Sequence, residues 1–91
     1  MTPSARRERL AQRGLLPLLG ETAERYHVTT VEILSARRTR GIVAARHGFW
    51  RAVLALRIEE RPLFSQSDVG RLWGVDHTTV SSAMRAPAEA A

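Results

Sequence analysis

Apolar residues recur at helical spacing along the chain, and this pattern predicts an all-α domain. One helix is predicted from about Leu15 to His27, with Pro17 in its first turn, where proline is tolerated. Its apolar stripe consists of Leu15, Leu16, Leu19, Ala23 and Tyr26. The longest helix is predicted from about Ile42 to Glu59 and is apolar over a wide arc, which is typical of a central helix. Gly48 inside it indicates close packing or the close approach of a partner.

A short helix is predicted between these two. Thr29 and Glu32 have the spacing of a capping box for a helix over Val31–Leu34. The apolar residues expected to close the core here are Val31, Ile33 and Leu34. The residues from Ser35 to Gly41 then form a predicted loop.

The two ends of the chain differ in composition from its middle. Thr2 is a suitable N-cap for a helix that ends at Gly14. Because residues 4–13, SARRERLAQR, are rich in charge, we interpret residues 1–14 as a basic N-terminal helix or a basic arm. Residues 87–91 have the composition of a tail or linker, so the domain proper is predicted over residues 15–86.

Residues 66–85 have the pattern of a helix-turn-helix, which gives five to six helices in total. A short amphipathic helix, Gln66–Trp73, is predicted to begin behind a cap formed by Ser65 and Asp68. Gly74 follows where the chain must turn sharply, and glycine tolerates the positive φ that such a turn requires.

The second half of this unit has its own start signal. Asp76 can cap the second helix by accepting from the amide of Thr78 or Thr79. Small or apolar residues stand at the positions that face inward in such a unit, and these are Gly70, Val75, Val80 and Ala83. The alternative is an ordinary helical hairpin in a small bundle.

All of the net positive charge lies in the first half of the chain. The charge of +5 comes from 14 arginines, no lysine and 9 acidic residues, and residues 47–91 are balanced with five of each sign. Arg37, Arg38, Arg40 and Arg46 lie within a stretch that contains no acid. Such a patch attracts polyanions, whereas the alternative is a merely solvated basic face.

Composition argues against several classes of site. The chain has no cysteine, so disulfides and thiolate metal sites are not available. His27, His47 and His77 have no ligand-like spacing, so no metal site is expected. No cofactor is expected either. No apolar run approaches the roughly 18 residues needed to span a membrane, and the N-terminus lacks a signal-peptide core. These features lead us to expect a cytoplasmic protein without a membrane partner.

Three features, in this order, resemble one bacterial family. They are the segment TVEILSARRTR, an arginine early in the long helix (Arg46), and the segment SxxDVGRLWGVDHTTV. Over residues 18–85 the chain is similar to the C-terminal DNA-binding domain of the replication initiator DnaA, whose helix-turn-helix fold is similar to that of the Trp repressor. The resemblance implies that fold and a double-stranded DNA partner.

The resemblance also implies two devices for reading DNA. Residues 76–79 would open a recognition helix in the major groove, while Arg38 of the basic loop would enter the adjacent minor groove. Arg46 would contact DNA from the flank of the domain. The full set of candidate DNA-binding residues is Arg37, Arg38, Arg40, Arg46, His47, Ser67, Asp76, His77, Thr78, Thr79, Ser81, Ser82 and Arg85.

The chemistry of these residues suits such roles. Threonine offers a hydroxyl to base edges or phosphates and a methyl group to thymine. The first amides of a helix attract a phosphate, whereas Asp76 would repel one and is expected to act as a cap. An arginine in an A·T-rich minor groove exploits the strong negative potential there.

The chain also differs from the family. Ala44 and Ala45 stand where the family has an arginine-proline pair, and Val75 alone stands where its turn carries Gly-Arg. No final helix is expected after the recognition helix. The sequence contains no Gly-rich phosphate loop, so ATP-driven melting of an origin is not expected of this chain.

These observations favour a sequence-specific DNA-binding module located at the nucleoid. It would serve as a transcription regulator, or as the DNA-binding domain of one, in a chromosomal or phage-like gene cluster. The transcription machinery or a further C-terminal domain would then be partners. The alternative within DNA biology is a factor that binds replication-origin boxes.

A different class of function is a protein-interaction module on the same fold. Its docking surface would consist of Trp50, Leu63, Phe64 and Trp73, for which core packing is the favoured interpretation. An enzyme is not expected, because the serine, histidine and aspartate residues lack the context of a triad or of a carboxylate pair.

Overall fold

The computed structural model of the chain describes residues 1–85, which form six α-helices and one short hairpin. The helices are α1 (Pro3–Gln12), α2 (Leu16–Tyr26), α3 (Thr30–Leu34), α4 (Arg40–Leu54), α5 (Gln66–Trp73) and α6 (His77–Arg85), and the strands are β1 (Arg57–Ile58) and β2 (Arg61–Pro62). The prediction of a small all-α domain of five to six helices is confirmed. The predicted tail at 87–91, and the predicted domain limit at residue 86, lie outside the described residues.

The core is built around α4, which packs against α2, α3, α5 and α6. Phe49, Trp50 and Val53 of α4 are almost fully buried. The Trp73 ring of α5 contacts both aromatic rings, with centroids 5.7 Å from Phe49 and 5.9 Å from Trp50. Such aromatic pairs stabilise by about 0.5–1.5 kcal/mol beyond burial of their area. This cluster therefore fixes the first helix of the helix-turn-helix to the centre of the domain.

Gly48 allows α2 and α4 to approach closely. A Cβ atom at this position would overlap the ring of Tyr26, which leaves no room for a larger residue without a shift of that ring. The close packing that the sequence indicated at Gly48 is confirmed, and the neighbour is part of the same chain.

The helix α1 belongs to the domain. The Oγ1 atom of Thr2 accepts a hydrogen bond from the amide of Ala5 at 3.1 Å, as its position before Pro3 predicted. Leu10 is fully buried and belongs to the same core as the later helices. Of the two interpretations of residues 1–14, the structure shows a helix packed against α2, α3 and α5.

The short helix α3 has the predicted capping box. The amide of Thr29 donates to Oε1 of Glu32 at 2.9 Å, and the amide of Glu32 donates to Oγ1 of Thr29 at 3.1 Å. Ile33 and Leu34 are buried, but the prediction that Val31 closes the core is wrong, because 72% of it is exposed. Val31 and Ile33 are two positions apart, which corresponds to about 200° of rotation around the helix axis. A helix that buries Ile33 therefore turns Val31 towards solvent.

The helix α4 ends at Leu54, earlier than the predicted end at Glu59. The chain continues into the antiparallel hairpin of β1 and β2. Glu59 and Glu60 connect the strands, with positive φ angles of 50° and 67°. Two positive φ angles in a two-residue loop are typical of a type I′ turn, in which glycine or asparagine usually stands. The two glutamates here favour helices, so the sequence carries no signal for the hairpin.

Candidate nucleic-acid interface

The helix α5 begins and ends where the sequence predicted. The amide of Asp68 donates to Oγ of Ser65 at 3.1 Å, and the amide of Ser65 donates to Oδ2 of Asp68 at 2.8 Å. The Ser65 amide and the Arg71 guanidinium lower the pKa of Asp68 below its usual value. Gly74 ends the helix in the left-handed region with a φ of 80°. The predicted capping box and the predicted turn are both confirmed.

The turn after α5 lies tightly against that helix. A Cβ atom at Gly70 would lie 2.8 Å from the carbonyl oxygen of Val75 and 3.4 Å from the amide nitrogen of His77. The small residue is needed because the turn backbone, rather than a helix, passes over it. On the other side of the turn, the side chain of Met1 lies against Gly74. A Cβ atom added at Gly74 would lie 2.7 Å from the Cβ atom of Met1.

The N-terminus of α6 has the predicted cap. Oδ1 of Asp76 accepts from the amide of Thr78 at 3.1 Å and lies 3.1 Å from Nδ1 of His77. The hydrogen bond from the Thr78 amide is the main cause that lowers the pKa of Asp76 below its usual value. The carboxylate is therefore ionised at neutral pH, and it caps the first turn of α6 beside the imidazole ring.

The helix α6 separates its apolar and polar residues. Val80 and Ala83 are buried, as predicted. The residues that point away from the core are mostly exposed, with Ser81 half-buried, and they are His77, Thr78, Thr79, Ser81, Ser82 and Arg85. NH2 of Arg85 lies 3.4 Å from Oγ of Ser82. The sequence-predicted contact residues of α6 thus form one polar face, two turns long.

The basic loop between α3 and α4 spans residues 35–39, shorter than predicted because α4 already begins at Arg40. Arg37, Arg38 and Arg40 are all exposed. NH1 of Arg37 is 4.0 Å from Oε2 of Glu32, so its charge is partly compensated. Arg38 lines a groove towards α6. The three arginines are therefore not equivalent in their surroundings.

Arg46 is bonded inside the protein. Its Nε atom donates to the carbonyl oxygen of Ile33 at 3.1 Å, and its NH2 group donates to those of Ser35 at 2.7 Å and Arg37 at 3.0 Å. Burial, followed by the charges of Arg6 and Arg38, lowers the pKa of Arg46. The geometry assigns this side chain to holding the end of α3 and the loop in place.

Two further candidate residues, His47 and Ser67, lie in different surroundings. The ring of His47 is half-buried and lies 5.3 Å from the ring of Trp50. Burial, helped by the charges of Arg51, Arg46 and Arg38, lowers the pKa of His47, so the imidazole is neutral at pH 7. Ser67 is exposed in the first turn of α5.

A groove runs between the basic loop and α6. Arg38 lines it on the loop side and Thr79 on the α6 side, while Arg46 and His47 line it from α4. The two tryptophans contribute apolar surface, and none of the lining residues is acidic. Cationic and neutral donors therefore converge without a compensating carboxylate, an arrangement that attracts anions.

The sequence did not point to Arg6, which also lines this groove. Its Nε atom donates to the carbonyl oxygen of Trp73 at 2.8 Å and NH1 donates to that of Leu34 at 2.6 Å. One signal was available, because Arg6 lies one helical turn before Leu10 and so shares the face that packs on the domain.

Within residues 1–85, no cluster of histidine and acidic side chains is arranged to hold a metal ion. No helix in this part of the chain is long and apolar enough to cross a membrane. Comparison of the chain with protein-family models, with curated proteins and with solved structures finds no match.

Proposed function

We propose that this protein binds double-stranded DNA sequence-specifically, with the N-terminal half of α6 in the major groove and the basic loop in the adjacent minor groove. The observation that carries the proposal is the groove itself. Arg38 and Thr79 belong to segments about forty residues apart in sequence, yet they line one acid-free surface. A duplex presents its two grooves side by side, so such a surface suits contact with both.

The exposed residues of α6 fit the reading of bases. Thr78 and Thr79 offer hydroxyl and methyl groups at the start of the helix. Oδ1 of Asp76 lies 3.1 Å from Nδ1 of His77, so Nε2 is the ring nitrogen that we propose for a base edge or a phosphate. A helix that reads the major groove usually contacts bases with its N-terminal residues.

The proposed cellular role follows the resemblance to the DnaA C-terminal domain and to the Trp repressor fold. We propose a transcription regulator, or the DNA-binding domain of one, acting at the nucleoid. A factor that occupies replication-origin boxes is the second candidate, since the same surface would serve it. Identification of the bound genomic sites would separate these two roles.

The burial of three of its four expected residues argues against the protein-interaction module. Trp50, Phe64 and Trp73 are each at most 3% exposed and belong to the core. Only Leu63 of the four expected docking residues is substantially exposed, at 43%. The core-packing interpretation of the three aromatic residues is confirmed.

Binding to duplex DNA is expected to depend strongly on salt. If Arg37, Arg38, Arg40, Arg85 and the N-terminus of α6 neutralise four to five phosphates, log K should fall against log salt with a slope of roughly −4. Fluorescence anisotropy of a labelled duplex over a series of salt concentrations measures this slope. No binding at low salt, or a slope near zero, would exclude the DNA proposal and favour a protein partner.

Replacing His77 or Thr78 by alanine should weaken binding to a selected site far more than binding to random DNA. Each lost base contact should cost about 1–3 kcal/mol and relax discrimination at neighbouring base pairs. His27→Asn is the matched control, because it removes an exposed imidazole at a left-handed position that asparagine tolerates. Equal weakening on selected and random DNA would show that these residues contact only the backbone.

A further inference from the structure

Arg6 connects two segments that are distant in the sequence. Its two hydrogen bonds go to the carbonyl oxygens of Leu34 and Trp73. Leu34 is the last residue of α3, and Trp73 is the last residue of α5. The last carbonyl groups of a helix lack partners within that helix, so a guanidinium is well suited to hold both.

Each of the two acceptors directly precedes a segment of the proposed DNA surface. The basic loop follows Leu34, and the turn that leads into α6 follows Trp73. The helices α3 and α5 each pack against both α4 and α1. Both α4 and α1 therefore help to set the position of the loop relative to α6, and Arg6 of α1 joins the ends of α3 and α5 directly.

The guanidinium is itself held firmly. Arg6 is half-buried, and its Cζ atom lies 5.6 Å from the centroid of the Trp73 ring. Because the guanidinium is planar and rigid, its Nε and NH1 atoms keep a fixed distance from one another. A lysine at this position offers one nitrogen and cannot reproduce that two-point connection.

We infer that Arg6 is a positioning residue that sets the distance between the basic loop and α6 along the bound DNA. This inference rests on the proposed function. Successive base pairs lie about 3.4 Å apart along the duplex. If the distance between the basic loop and α6 is fixed, the two DNA segments that they contact must be separated by one particular number of base pairs. Arg6 thereby controls the spacing specificity of the protein without reading any base.

The test is selection of binding sites from a random duplex pool by the wild type and by Arg6→Ala, Arg6→Lys, Arg7→Ala and Arg9→Ala. The wild type should enrich one spacing and bind a site with one inserted base pair about tenfold more weakly. Arg6→Ala and Arg6→Lys should enrich several spacings and lower this penalty to about threefold or less.

The two other variants are matched controls. Arg7 is exposed on the same helix, so Arg7→Ala removes the same charge. Arg9 donates to the carbonyl oxygen of Arg71, so Arg9→Ala removes one hydrogen bond between α1 and α5 but leaves both hydrogen bonds of Arg6 in place. Both controls should keep the wild-type spacing. Thermal unfolding of each variant identifies those that are folded, and Arg6→Lys replaces Arg6→Ala if the alanine variant does not fold.

The outcomes separate this inference from the proposed function. If the wild type enriches no sequence, the proposed function fails and the inference fails with it. If the wild type enriches one spacing and the folded Arg6 variants keep the same penalty, the proposed function stands and the role of Arg6 is overturned. Equal relaxation by Arg7→Ala would likewise overturn it, because charge alone would then be the cause.

Discussion

Arg38→Ala is expected to weaken binding to a site with an A·T-rich half by about ten- to a hundredfold, which corresponds to the loss of one inserted side chain. Arg37→Ala should cost much less, since Arg37 lies beside Glu32 at the edge of the surface while Arg38 lines the groove. If these arginines contributed only an electrostatic field, binding would tolerate either change, because the other loop arginine and Arg40 of α4 would remain exposed.

The measurement is a titration of each variant against one selected site and its G·C-substituted version. The loss for Arg38→Ala should be concentrated on the A·T-rich site. Arg38→Lys should rescue poorly, because a guanidinium is more weakly hydrated than an ammonium group and enters a narrow groove at lower desolvation cost. If the loop arginines prove interchangeable, the loop is an electrostatic patch and the minor-groove assignment is wrong.

Arg46→Ala is expected to lower the free energy of unfolding by about 2–4 kcal/mol, because three carbonyl groups lose a charged donor. The affected carbonyls belong to Ile33, Ser35 and Arg37, which lie at the end of α3 and in the loop. Arg46→Lys should recover only part of this stability, since one ammonium group cannot reach all three acceptors. Urea denaturation followed by circular dichroism measures the change.

Arg40→Ala provides the control for Arg46→Ala. Arg40 is exposed in the first turn of α4, where a cation faces the positive end of the helix dipole, so its removal should leave stability unchanged or slightly raised. This prediction for Arg46 would be contradicted by an Arg46→Ala variant that keeps its stability and whose salt slope for DNA binding becomes smaller in magnitude by about one. That result would support the direct DNA contact that the family resemblance implied.

The helix-turn-helix could be predicted from the sequence because its signals are local. Ser65 and Asp68 form a cap three residues apart, and Gly74 marks the turn, so the bounds of α5 were predicted correctly. The end of α4 was not predicted because the sequence carries no such local signal there. Leu54 and Leu56 continue the helical pattern, and Glu59 carries no turn signal although its backbone is left-handed.

The hydrogen bonds of two arginines to distant carbonyl groups were not visible in the sequence. Arg6 and Arg46 donate to carbonyl groups 11 to 67 positions away, apart from one bond of Arg46 that spans nine. A bond from a side chain to a distant backbone leaves no periodicity and requires no particular residue at the acceptor. The sequence therefore carries no sign of these bonds, and the DNA contact of Arg46 that the resemblance implies stays a prediction.

The contact between Met1 and Gly74 has a practical consequence for measuring DNA docking. The sequence contains no lysine, so in a protein prepared to this sequence the α-amino group of Met1 is the sole primary amine. An amine-reactive fluorophore would then label a single position beside the turn that leads into α6. Its emission would report the arrival of DNA without any engineered cysteine.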